Sequence, residues 1–367
     1  MNRGLSGLVN QGNSCYLNSM VQVLAHLPYF SEYFLHWEHE ILKQLGERAA
    51  GSLTYQFLRL VQALWENNTT VLPASFRKVF YQKFTKVTPG PHDAEEALTN
   101  ILGMLQEELC RRQEIPVVGT LPQDPIVQNA FYTMKSYYER NYCVITELFN
   151  GFLDSSICCP ECGHQVHHFE PFTIIPLSIP DMASTLFECL TAFFTEEKLD
   201  PKNFWKCEKC SRSVPAVKLM RLLSRPVILI LQFKRFRNDG QKDQRQITYP
   251  ETLNMDTFLS TIRRDKKEYI YHLYAVVNHV GTPQSGHYYT VTRVGAITSC
   301  TGTNPSDAAG LASITDGINK MTLSGAVTGT SPAWYLFDDQ RVHAVSTPAS
   351  PYAYLLFYVR NIDKFDV

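Results

Sequence analysis

A cysteine at position 15 follows the polar run Asn10-Gln11-Gly12-Asn13-Ser14 and stands at the head of an apolar, helix-periodic stretch. A thiol in that place meets unpaired backbone N–H groups and the positive end of a helix dipole, both of which favour a thiolate. The glycine-containing turn lets a substrate carbonyl approach backbone donors, and Asn10 could offer its side-chain amide to a developing oxyanion. A single cysteine at a helix start is more often a buried structural residue, so nucleophilic chemistry needs partners.

A thiolate nucleophile needs a base, and the base needs a group that orients it. His287, in Ser285-Gly286-His287-Tyr288-Tyr289, opens a strand-like segment, with Gly286 allowing close backbone approach. Tyr335-Leu336-Phe337-Asp338-Asp339 places a carboxylate at the end of the next strand candidate. Two adjacent antiparallel strands would set Asp338 beside the His287 ring. Taken singly, His287 reads as a strand-edge histidine and the acidic pair as a turn.

Two further pairs carry metal chemistry. Cys159-Pro160-Glu161-Cys162 and Cys207-Glu208-Lys209-Cys210 are C-x-x-C knuckles, and two knuckles complete a closed tetrahedral thiolate site with no open position, hence a structural one. Cys158 and His164 fit that spacing less well. No basic cluster surrounds these cysteines, which argues against a zinc ribbon that binds nucleic acid.

These residues must be positioned by helices first and strands later. Leu17, Met20, Val21 and Leu24 mark one buried face of a helix over 15–27, stopped by Pro28. Leu53, Phe57, Leu60, Val61 and Leu64 mark a second helix over 53–66. A third begins near Asp93 and carries Ala97, Leu98, Ile101, Leu102, Leu105 and Leu109. From about residue 145 the β-branched and aromatic content rises and helical periodicity fades. Strands are predicted at 227–236, 269–280, 286–294, 334–337 and 352–360, and the fold class is α+β with a mostly antiparallel sheet. Segment 295–332 is rich in Gly, Ser, Thr and Ala, with Lys320 its only basic residue, and reads as a mobile surface insertion between two strands.

With 367 residues, 44% of them hydrophobic, the chain can bury a large core. Its 34 basic and 35 acidic residues leave a net charge of -1, which gives no field for nucleic acid or an anionic membrane. The N-terminus lacks the apolar core of a secretory signal, and no apolar run is long enough to span a bilayer. Ten cysteines spread thinly, four of them in knuckles, fit metal binding in a reducing compartment better than a disulfide framework. The expectation is a soluble intracellular protein of the cytoplasm or nucleus, monomeric, with neither nucleic acid nor membrane as partner.

The motifs resemble the ubiquitin-specific proteases, papain-like cysteine deubiquitinases, over Gly4 to about Arg360. GLVNQGNSCYLNSMVQVL is similar to that family's Cys box; HLYAVVNHVGTPQSGHYYTVTRV, followed by WYLFDD and YLLFYVR, is similar to its His box; PVILILQFKRF resembles the strand before its palm. The resemblance implies Cys15 as nucleophile, His287 as general base and acid, Asp338 as the residue that orients it, and Asn10 as the oxyanion-hole amide, with Asp339 auxiliary. The reaction implied is hydrolysis after the C-terminal glycine of ubiquitin through a Cys15 thioester. One structural Zn2+ on Cys159, Cys162, Cys207 and Cys210 would sit at the tip of the fingers. The resemblance further implies one catalytic domain over 4–360, shaped like an open hand: a helical thumb (about 4–135), zinc-tipped fingers (about 145–225) and a β palm (about 226–360).

Ubiquitin ends in a basic, glycine-rich tail, and the positions matching Asp93 and Glu96 bind it in this family. The same pair is also a D-x-x-E capping box for the third helix, and both roles can hold at once. Pro91 stands where the family usually has Gln, and Ala97 where it has a bulky apolar residue. The rival readings are a protease for another ubiquitin-like modifier and a ubiquitin-binding scaffold without catalysis; the intact Cys, His, Asp and Asn set speaks against the scaffold.

Overall fold

The computed structural model describes residues 3–84, 90–117, 119, 121–199, 204–237, 239–262, 270–295 and 333–360. The N-terminal third is helical: α1 (Cys15–His26), α2 (Phe30–His36), α3 (Glu38–Leu45), α4 (Leu53–Glu66), α5 (Ala74–Lys83), α6 (Ala94–Leu109), α7 (Pro125–Arg140) and α8 (Val144–Phe149). Strands follow: β1 (Gly151–Cys158), β2 (Gln165–Phe172) and β3 (Ile174–Leu177), then α9 (Leu186–Phe193), then β4 (Glu197–Lys198), β5 (Trp205–Lys206), β6 (Ser213–Val214), β7 (Val217–Ser224) and β8 (Ile228–Phe233). The last six are β9 (Thr252–Asn254), β10 (Ile270–Gly281), β11 (Gly286–Val294), β12 (Ala333–Asp338), β13 (Arg341–Val345) and β14 (Ala353–Arg360). The three helices and five strands expected from periodicity are all present, within a residue or two at most ends.

The strands form an eight-stranded sheet in the order β13-β12-β11-β10-β14-β8-β3, with β9 also on β10, and a four-stranded sheet in the order β2-β1-β7-β4. Every pairing is antiparallel except β3 with β8. Within the 145–225 span, Ile174–Leu177 thus belongs to the larger sheet. Strand β14 is buried along its whole length, as an apolar central strand requires. Pairing of β11 with β12 runs without interruption from Thr290↔Phe337 to Val294↔Ala333. Apart from Gly295, the 295–332 insertion lies outside the described residues.

Helix α1 is not amphipathic in its setting: all twelve of its residues are buried. Its apolar face packs among the helices, and its other side lies against the large sheet. The polar residues on that side recur every fourth position, and carbonyls of an N-terminal segment meet them one by one. His26 bonds the Gly4 carbonyl through Nε2 at 2.7 Å, Gln22 donates to the Ser6 carbonyl at 2.8 Å, and Asn18 donates to the Val9 carbonyl at 3.4 Å. Asn10 Oδ1 in turn accepts from the Ser14 N–H at 3.1 Å. Burial pulls His26 below its ordinary value, against the opposing pull of the Gln22 and Gly4 carbonyls on its two ring nitrogens, and the ring lies between Trp65 and Phe337.

The same segment is tied outward to both lobes. Val9 donates to Val71 O and Leu8 to Asp339 O, each bond 2.8–2.9 Å. Gly7 passes so close to the β12–β13 turn that a Cβ there would lie 2.4 Å from the Gln340 carbonyl oxygen. Gly7→Ala must therefore push two backbones apart and is expected to cost about 2 kcal/mol of stability, read as a lowered urea midpoint. An unchanged midpoint would mean that the segment is not held against this turn.

Candidate active site

Cys15 is the first residue of α1, 7% exposed, and Ser14 precedes it as the N-cap. Ahead of it the backbone is forced into the left-handed region twice in succession, at Gly12 (φ 78°) and Asn13 (φ 51°). Such a turn exposes N–H groups on its inner side and costs conformational energy at the non-glycine position. Ser14 closes it: its hydroxyl donates to Asn10 Oδ1 at 3.1 Å and accepts from the Gln11 N–H at 3.2 Å.

His287 lies near the start of β11, paired with Val280 of β10 across the 281–286 turn. Gly286 is required there because a side chain would run into the His279 ring, whose Nε2 lies 2.0 Å from the position of a Cβ. The close approach comes from a neighbouring side chain. His287 Nε2 meets Asp338 Oδ1 at 2.6 Å, so the ring's other nitrogen, Nδ1, is not taken up by that carboxylate. The hydrogen bond to Cys15 raises the imidazole from 6.5 to about 9, burial pulls the other way, and Asp338 adds to the rise. The nearby His279 is pushed down to about 4 by burial, helped by Lys242 and His287. One imidazole of the two therefore carries charge at neutral pH.

Asp338 ends β12, and Asp339 forms the turn to β13 with a left-handed φ of 52°. That conformation sends the two carboxylates to different partners. Asp339 Oδ2 accepts from Asn10 Nδ2 at 2.8 Å and Oδ1 from Asn18 Nδ2 at 2.8 Å. The structure thus brings Cys15, His287, Asp338, Asn10 and Asp339 into one site. Sequence reasoning missed Asn18, one of several polar side chains on a wholly buried helix.

Asp93 is the N-cap of α6 and accepts from the Glu95 N–H at 2.8 Å. Its carboxylate also receives the Tyr354 hydroxyl, at 2.8 and 2.7 Å to the two oxygens. Burial raises its pKa, against the opposing pull of those hydrogen bonds. Glu96 is exposed one turn on, so the two carboxylates differ in freedom. Tyr354 was hidden in an apolar strand and gave no sequence signal.

Cys159, Cys162, Cys207 and Cys210 form a separate cluster at the far end of the smaller sheet, with all four sulfurs within 4.8 Å of one another. Cys159 and Cys210 are 3.9 Å apart and Cys162 and Cys207 3.6 Å. A tetrahedral thiolate site with metal–sulfur bonds near 2.3 Å has edges of about 3.8 Å, so the cluster could hold a metal as it stands. Burial opposes ionisation of Cys207, yet the backbone N–H groups of Cys210 and Lys209 bring it down to about 7. Cys158 and His164 stay outside the cluster: the Cys158 thiol donates to the Cys159 carbonyl, and the His164 ring stacks on Trp205. Elsewhere, Cys110 and Cys143 are bonded sulfur to sulfur across the neck between α6 and α8, with Cα atoms 4.7 Å apart. Their spacing of 33 residues gave no warning of it.

A helix-borne cysteine, a strand-borne histidine and a carboxylate on the next strand, joined across a helical lobe and a sheet, define a papain-like cysteine hydrolase. The description "Ubiquitin carboxyl-terminal hydrolase" matches residues 6–358, and the chain belongs to that family of cysteine-type deubiquitinases. It is 30% identical to a protein of Acanthamoeba polyphaga mimivirus described as a probable ubiquitin carboxyl-terminal hydrolase, over 79% of this chain and 83% of the viral one. It is also 30% identical to ubiquitin carboxyl-terminal hydrolase 2 of Rattus norvegicus, over 78% of this chain but only 48% of the rat protein. The fold is similar to that of a SAGA Ubp8/Sgf11/Sus1/Sgf73 DUB module bound to ubiquitin aldehyde, with TM-score 0.71, 24% identity, and 98% of this chain and 70% of that one covered.

The pH behaviour of His287 follows from its contacts. With the imidazole raised above 6.5, its charged pair contributes in full below that pH and is lost as pH rises through about 9. An NMR titration of His287 should show a midpoint near 9 that falls back towards 6.5 in Cys15→Ala. A midpoint indifferent to the sulfur would break the assignment of its cause.

Proposed function

We propose that Cys15, His287 and Asp338 are the nucleophile, the general base and acid, and the orienting carboxylate of a deubiquitinase that cleaves after ubiquitin's C-terminal glycine. The observation that carries this reading is that one half-exposed imidazole touches both Cys15 and Asp338, in a chain of this family. The thiolate attacks the carbonyl carbon, and the carbonyl π pair moves to oxygen. The Cys15 N–H, an orphan donor of the first helical turn, and the second hydrogen of Asn10 Nδ2 face that oxyanion. Collapse breaks the C–N bond, the lysine amine leaves with the His287 proton, and a thioester remains. Water then gives its proton to His287, attacks the thioester and restores the thiolate as the ubiquitin carboxylate departs. Asp338 keeps the ring in the tautomer this sequence needs.

Glu96, exposed, offers the arginine-rich tail of ubiquitin a free carboxylate, while Asp93 offers what its cap and Tyr354 leave. A quartet of thiolates, with Cys159 and Cys207 buried and Cys162 and Cys210 half-buried, suits one Zn2+ with all four as ligands; a metal there would tie the β1–β2 turn to the β5–β6 turn. The fingers, thumb and palm of an open hand correspond to the smaller sheet, the helical lobe and the larger sheet. Among the described residues no helix is long and apolar enough to cross a membrane.

A ubiquitin probe with a C-terminal electrophile should form a covalent adduct with the protein and none with Cys15→Ala. His287→Ala should lower kcat by about 100- to 10,000-fold and leave ubiquitin affinity intact; an equal loss of affinity would make the histidine structural. Adduct formation with a ubiquitin-like modifier alone would transfer the specificity to that rival. Elemental analysis should find one zinc per chain, lost in Cys207→Ser together with several degrees of Tm. A Tm indifferent to chelation would count against a structural metal.

A further inference from the structure

We propose that Arg77 is a positioning residue for the turn that stabilises the oxyanion, an inference that rests on the reading of the site given above. Arg77 lies on α5, outside the Cys and His boxes, and is 8% exposed. A guanidinium cannot shed its charge, and burying one is costly unless it is well paired. Its two bonds go to neutral oxygens of a single residue: Nη1 donates to Gln11 Oε1 at 2.8 Å and Nη2 to the Gln11 carbonyl at 2.9 Å. Its face lies over the Tyr81 ring, and Nε is buried without a partner. Tyr81 meets the hydroxyl of Tyr16, the residue after the nucleophile, at 3.1 Å. A buried charge spent on an exposed glutamine is a poor device for stability. It is a good one for fixing a backbone.

What it fixes is the peptide between Gln11 and Gly12. Carbonyl and amide point opposite ways in a trans peptide, so holding the Gln11 oxygen on Arg77 turns the Gly12 N–H away from α5. The next two residues are the left-handed pair Gly12 and Asn13, a conformation that relaxes unless its surroundings hold it. Asp339 holds the turn at Asn10, and Ser14 is anchored at the helix start. Arg77 is the hold on the middle. Its hydrogen bonds go to Gln11 and not to Cys15 or His287, so it acts through the turn.

The test compares ground-state with tetrahedral-state binding, using a ubiquitin–fluorophore amide, free ubiquitin and ubiquitin aldehyde, whose adduct with the thiol carries the oxyanion's oxygen. Arg77→Ala should lower kcat by about 10- to 100-fold, with KM and ubiquitin affinity changed less than about threefold. Its affinity for ubiquitin aldehyde should weaken by the same factor as kcat/KM. Gln11→Ala should show a smaller part of both losses, and the double variant should be no worse than Arg77→Ala. Arg77→Lys, which keeps the charge and loses the fork, should also lose kcat. A kcat within about twofold of wild type, an aldehyde affinity that stays put while kcat falls, or additive effects in the double variant would overturn the proposal. Should Arg77→Ala not fold, Gln11→Ala and Arg77→Lys decide by the same aldehyde criterion. A wild type that hydrolyses no ubiquitin substrate would sink the reading of function instead, so the two failures stay distinct.

Discussion

The arrangement depends on the complete burial of one helix that carries polar residues on the side it turns to the sheet. Asn18, Gln22 and His26 would each leave unsatisfied groups in the interior, at a cost of about 1–3 kcal/mol apiece. The N-terminal segment removes much of that cost by running alongside α1 and offering the Val9, Ser6 and Gly4 carbonyls in turn, although Gln22 Oε1 stays buried without a partner among the described residues. The position of Cys15 is therefore fixed by three things at once: the helical lobe behind it, the sheet before it, and a strap of chain between them. Cys15 can sit still at a lobe boundary because the boundary is filled with hydrogen-bonded polar groups.

The turn after β12 completes this design. Asp338 and Asp339 are neighbours in sequence, yet one faces the imidazole and the other faces Asn10 and Asn18. A left-handed residue at 339 makes this division possible. His287 and Asn10 are thus referenced to the same two residues, and a shift of the turn would carry both together. The Leu8 bond to the Asp339 carbonyl and the close passage of Gly7 bind the strap to that turn as well.

Much of this was legible in the sequence, and the unread parts have physical causes. Helices α1, α4 and α6 announced themselves through apolar spacing, and the catalytic set through its order and flanking glycine. Helix α7 could not be read from a stripe, since only Ala130 among its residues is buried. Strands β1 and β2 carry Asp154, Ser155, Ser156, His167 and His168, so no clean alternation marked them. Tyr354 and Asn18 were invisible for the opposite reason: each lies in a wholly buried element, where periodicity says nothing about which polar group meets which. The D-x-x-E pattern at Asp93 was half right: the aspartate caps the helix, but through the Glu95 N–H and not as a box with Glu96, and it also bonds a tyrosine 261 residues away.

The unbroken β11–β12 ladder has a consequence for how such a chain can change over time. Because Val294 and Ala333 are directly paired, the two ends of the connection between them meet at a single place on the sheet. Lengthening a connection whose ends already meet adds only about 0.6 kcal/mol per doubling, and it leaves the histidine and aspartate in the same register. This edge of the sheet is a place where new sequence can accumulate freely, so lineages can try out additional recognition or regulatory matter there while the chemistry goes on undisturbed.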